Sequence, residues 1–120
     1  MSKKYQPAYT RAQPWEYIEN RFQKDWGEAH MPMCNLIRHI RECDLIHRLY
    51  AYSSMDKIVI SIYESIDYQK EALHIYFDPH AQQWSFEYFA LPFQAPEFKR
   101  SYPAELGIEK FDNFIKMIGW

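Results

Sequence analysis

The sequence predicts a two-layer α+β domain: a four-stranded antiparallel β-meander with helices packed on one face, in the order α-α-β-β-β-β-α. Three observations lead there. Apolar residues recur at helical spacing near both ends of the chain, they alternate at every second position through 45–89, and short Ser-, Asp- and Pro-bearing stretches separate the alternating runs. A chain of 120 residues that is 48% apolar and 25% charged has material for one core and too little length for a second. Residues 14–120 therefore read as a single domain, and residues 1–13, polar and without a period, as a flexible N-terminal arm.

Pro14 suits a first helical position, and Trp15, Ile18, Phe22 and Trp26 form one stripe before Gly27 supplies a stop. Pro32 opens a second helix with Met33, Leu36, Ile37 and Ile40 on one face. Continued in phase, that helix would bring Asp44 into the apolar stripe, so it ends near Cys43. Alternation then predicts strands over 45–52, 57–64, 71–77 and 83–89, the second (KIVISIYE) being the strongest. Short connections between successive strands imply hairpins. Pro92, Pro96 and Pro103 make 91–102 an irregular return, because a proline cannot donate to a ladder except at an edge. Ile108, Phe111, Phe114, Ile115 and Ile118 make the last helix, between Gly107 and Gly119.

Composition excludes several functions. The three glycines stand alone, so no phosphate-cradling loop exists and no motif implies a cofactor. Apolar runs are far too short to span a bilayer. Two cysteines make no disulfide framework and no leader is read after Met1, so a reduced, cytoplasmic protein is expected. A net charge of −2 argues against nucleic acid, whose phosphates call for excess Lys and Arg.

The unusual feature is aromatic: 10 Tyr, 8 Phe and 4 Trp, or 18% of the chain. With symmetric hairpins centred at Ser54/Met55, near Asp67/Tyr68 and at His80/Ala81, the residues Arg48, Ser61, His74 and Glu87 form one row on the outer sheet face. Tyr50 and Tyr76 flank the row on one side, Tyr63 and Phe89 on the other, and Tyr52 has the same parity. Tyr rings supply large contact area at low entropic cost, so Arg48, Tyr50, Tyr52, Tyr63, Tyr76 and Phe89 are the candidate binding residues. The expectation is a non-catalytic binding protein whose occupant is a protein partner or a second copy in a homodimer. By size and surface this suits an immunity protein or an adaptor.

Two other chemistries are legible. His74 as base, Glu87 as its orienter and Ser61 as nucleophile would make a hydrolase-like site, although a flat sheet face supplies no oxyanion hole. A small ligand could also sit between helix and sheet. His39 and Cys43, one helical turn apart, are the candidate metal ligands, but a structural zinc site needs four, so no metal is expected.

Overall fold

Pro14 starts the first helix: its carbonyl accepts from Ile18 N at 3.1 Å, and α1 (Trp15–Arg21) follows. A computed structural model describes residues 9–67, 70–91 and 94–120. In it α1 runs through a π-helical turn (Phe22–Trp26) and a 3-10 turn (Gly27–His30) into α2 (Met31–Arg41). Gly27, at φ 69°, makes the break between them, a left-handed conformation that costs glycine little. The stripes point inward as their spacing requires: Ile18, Phe22, Met33, Leu36, Ile37 and Ile40 have no exposed surface.

After α2 the chain departs from the alternating reading. Asp44–His47 is a 3-10 turn, Leu49 N donates to Leu45 O at 2.9 Å, and the first sheet strand spans only Tyr50–Ser54. Leu45 and Leu49 are both buried, a spacing that satisfies a helical turn as well as a strand, while His47 and Arg48 are exposed. The strand predicted over 45–52 therefore begins five residues late.

In chain order the strands are β1 (Tyr9–Arg11), β2 (Tyr50–Ser54), β3 (Lys57–Ser61), β4 (Ser65–Asp67), β5 (Ala72–Asp78), β6 (Gln83–Phe89) and β7 (Phe98–Pro103). They form a five-stranded antiparallel sheet ordered β2-β3-β5-β6-β7 and a separate ribbon of β1 with β4. The fifth strand lies in the segment expected to be an irregular return. β7 is an edge strand and Pro103 is its last residue, the placement in which a proline forfeits least. Exposed Lys99 and Arg100 blunt that edge against pairing with another chain. At the opposite edge, Gln13 N donates to Ala51 O (2.8 Å) and Gln13 Oε1 accepts from Ser53 N (2.8 Å).

Ile58, Ile60, Leu73, Ile75, Phe77, Trp84 and Phe86 line the inner face and make one core with α1, α2 and α3 (Gly107–Ile118). The outer face is partly covered as well. Val59 and Ala72, of outward parity, pack with Ile66 of β4 in a second small cluster joined by Tyr52. The N-terminal segment is therefore docked from Tyr9 to Gln13, through β1 and the Gln13 bridge, where an arm was expected over 1–13. The rest of that arm, residues 1–8, lies outside the described residues.

Two side chains mark the packing limits. Trp84 is buried, donates Nε1–H to Ala104 O at 3.0 Å and packs against Gly107. A Cβ at position 107 would overlap the indole. Gly107→Ala should therefore cost about 2 kcal/mol or more in denaturant unfolding. His30 is 5% exposed, set between Trp26 and Phe77, and neither ring nitrogen has a hydrogen-bond partner among the described residues. Leucine is close in size and leaves no polar atom unsatisfied, so His30→Leu should raise stability by about 1–3 kcal/mol, read as a higher urea midpoint.

Candidate functional site

The outer face is built from the outward residues of β2, β3, β5, β6 and β7, and its rows follow from the turns. Ser54 pairs with Lys57, which leaves Met55 and Asp56 as a two-residue loop with Met55 at φ 57°. This moves the centre of the first hairpin one residue on, so Tyr50 rather than Arg48 faces Ser61. Between β3 and β5 the chain makes no simple hairpin, since β4 leaves to pair with β1, and Val59 rather than Ser61 faces His74. The third hairpin keeps its expected register, with His74 opposite Glu87 and Tyr76 opposite Ser85. Asp78 stabilises its turn by accepting from His80 N at 2.9 Å.

One observed row is therefore Tyr52, Val59, His74, Glu87 and Lys99, and its neighbour is Ser54, Lys57, Tyr76, Ser85 and Ser101. Lys57 Nζ donates to His74 Nδ1 at 3.2 Å. An ammonium only donates, so Nδ1 carries the lone pair and the proton sits on Nε2. Phe89 stacks at 4.7 Å between centroids, tilted by 56°. Burial, then the Lys57 charge, lower the imidazole pKa from 6.5 to about 4 against the opposing pull of Glu87. Lys99 Nζ lies 3.4 Å from Glu87 Oε2, completing a polar line of Lys57, neutral His74, Glu87 and Lys99 across four strands.

This register separates the residues considered for hydrolysis. Ser61 is fully buried, and its hydroxyl donates to Glu71 O at 2.8 Å. It does not face His74, whose lone pair is engaged by Lys57. The trio Ser61, His74 and Glu87 thus offers neither a nucleophile at the surface nor a free base beside one.

The proposed binding residues divide into three groups. Tyr76 and Phe89 are partly exposed on the outer face, and burial followed by the Asp56 and Asp78 carboxylates raises the Tyr76 phenol pKa. Tyr52 shares the face but packs into the Val59 cluster. Tyr50 and Tyr63, each 37% exposed, stand at the end of β2 and in the bend after β3, with Lys70 Nζ 5.1 Å from the Tyr63 ring centre. Arg48 is not on the face. It precedes β2, donating to Asp44 Oδ2 (2.9 Å) and Trp120 O (3.2 Å). Among the described residues, the cations in the outer rows are Lys57 and Lys99. Lys57 was legible from its shared parity with Val59, whereas Lys99 lay in a segment where no strand was foreseen.

The metal candidates do not converge. His39 Nε2 binds both Asp112 oxygens, at 2.9 and 3.1 Å, while the Cys43 thiol turns to Ile40 O at 3.7 Å. Among the described residues no three His, Cys, Asp or Glu side chains are placed to share a metal ion. Buried Glu19 ties the helices together by accepting from Arg38 (2.9 Å) and Arg41 (2.6 Å). Burial alone would raise its carboxyl pKa, but the two guanidiniums win and lower it. This cluster makes a structural clamp with no uncommitted carboxylate.

No family model, no curated protein and no solved structure matches this chain. No helix among the described residues is long and apolar enough to cross a membrane.

The environment of His74 has a pH consequence. Its folded pKa lies below the ordinary 6.5, so the unfolded chain takes up the proton first as pH falls. The stability associated with neutral His74 is complete above pH 6.5 and is lost between 6.5 and about 4, amounting to roughly 3 kcal/mol at most. His74→Gln should flatten that part of the urea-midpoint profile; an unchanged slope between pH 6.5 and 4 would show that His74 does not carry it.

Proposed function

We propose that this is a non-catalytic binding protein, cytoplasmic and of the immunity or adaptor kind, which engages a protein partner through the outer face of its sheet. The observation that carries this reading is the Lys57–His74–Glu87–Lys99 line beside Tyr76 and Phe89. Its reactive groups are already committed to one another. What remains is a surface of rings and paired charges, the mixture found in protein–protein interfaces.

The β1–β4 ribbon narrows the surface. With Tyr52 taken into the small cluster, contact falls to Tyr76, Phe89 and the charged row, and Tyr50 and Tyr63 become a margin. Guarded sheet edges also favour use of the face over addition of a strand from outside. A second copy of the chain is the other occupant to distinguish.

Photo-cross-linking tests this in the cells that make the protein. A benzophenone side chain in place of Ser85, on the outer face, should capture one discrete protein. The same group in place of exposed Asn20 on α1 should not. Tyr76→Ala with Phe89→Ala should cut the captured yield about tenfold while the fold is retained. Equal capture from both positions would refute the reading, and a product of twice the monomer mass would identify self-association.

A further inference from the structure

A concave site of different chemistry lies at the β2 edge of the sheet. The segment before α1, the 3-10 turn Asp44–His47, the start of β2 and the bend after β3 surround a cleft of about 290 Å³, with Pro14, Trp15, Ile46, Leu49, Tyr50 and Glu64 in its lining. Two long-range bonds fix its walls. Gln13 N donates to Ala51 O at 2.8 Å, and the Trp15 indole, 7% exposed, donates Nε1–H to Leu49 O at 3.1 Å. Of the residues of the outer sheet face only Tyr50, at its margin, takes part.

The charge of this lining has one sign. Among the described residues Glu64 is the only lining side chain charged at neutral pH, and it is exposed, with no side-chain hydrogen bond or ion pair. Neighbouring cations are placed elsewhere. Lys70 donates to Ser65 O at 3.3 Å and sits 5.1 Å from the Tyr63 ring centre, while Arg11 pairs with Ser65, whose side chain alternates with that of Glu64. Glu16, in the first turn of α1, offsets the positive end of that helix. The Tyr50 hydroxyl and the Gln13 amide are neutral, so Glu64 sets the sign of the field. An anion would meet that carboxylate with no lining cation to offset it, whereas a cation gains its attraction beside aromatic residues.

We infer that this cleft binds a compact organic monocation of the quaternary ammonium class, its charge beside Glu64 and its alkyl groups against Trp15 and Tyr50. Alkyl groups on the nitrogen suit the site because Pro14, Ile46 and Leu49 offer apolar surface and no acceptors from their side chains, where a bare ammonium would lose hydration without return. A volume of about 290 Å³ is at the small end of ligand pockets and limits the occupant to a compact molecule. The site requires no reaction and is independent of the partner proposed for the sheet face.

Choline is the probe, with dimethylbutanol, which has carbon in place of nitrogen, as its uncharged counterpart; each is titrated into the full chain and followed by backbone amide NMR. Choline should give saturable shifts centred on the signals of Ile46, Leu49, Tyr50 and Glu64, and dimethylbutanol should bind about tenfold more weakly. Glu64→Gln, at an exposed position that leaves the core intact, should weaken choline about fivefold, and Tyr50→Leu about threefold. Glu109→Gln, exposed on α3, should leave it unchanged. Retention of the protein on phosphatidylcholine vesicles, lost in Glu64→Gln, would assign a lipid headgroup as the source of the cation; no retention alongside choline binding would assign a free ligand. Absence of saturation, equal affinity for choline and dimethylbutanol, or equal loss in the two glutamate variants would each overturn the inference.

Discussion

Burial of β3 on both faces is the constraint on which the rest of the molecule depends. Ile58 and Ile60 belong to the helical core, while Val59 and Ser61, pointing the other way, are covered as well. A strand enclosed on both sides cannot slip by one residue without exchanging two apolar environments, so it anchors the register of β2 and β5. Ser61 is the polar member of that strand, and it is tolerated because its hydroxyl finds Glu71 O. The same hydrogen bond removes it from any surface chemistry.

Each face of the sheet is finished by a different device. On the inner face, three helices deliver apolar stripes, and aromatic rings meet edge to face, as where Phe77 and Trp84 stand 5.1 Å apart. On the outer face, among the described residues, one end is roofed by a two-stranded ribbon that joins the N-terminal segment to the chain between β3 and β5. Beyond that roof the surface is organised by charge. Lys57 holds the His74 proton on Nε2, Phe89 covers the ring, and Lys99 neutralises Glu87. Under the function proposed above, partners of this kind would lower the side-chain freedom lost on covering the face.

Parts of this arrangement were legible because they depend on local pattern. The stripe Met33, Leu36, Ile37 and Ile40 needs only helical spacing, the His74–Glu87 pairing only the Asp78 turn, and the last helix only its stripe between glycines. Misreadings arose where two local patterns coincide or where a distant segment intervenes. Leu45 and Leu49 face inward in a strand and in a helical turn alike, and tertiary packing chose the turn. The prolines that argued against a strand over 98–103 are compatible with one at an edge, and edge position is a property of the assembled sheet.

The sequence by itself determined the α+β class, the helical stripes, the positions of most strands and the exclusion of phosphate loops, because each follows from periodicity or composition within a short window. Tertiary structure alone decided which outward residues meet. Moving one hairpin centre by a residue replaced Arg48 by Tyr50 opposite Ser61, and the departure of β4 put Val59 opposite His74. It also brought Asp112 to His39 across 73 residues and laid β1 beside β4. Cross-strand neighbours depend on register, and register is set by turn geometry and by burial on both faces of a strand, neither of which lies in the residues being paired.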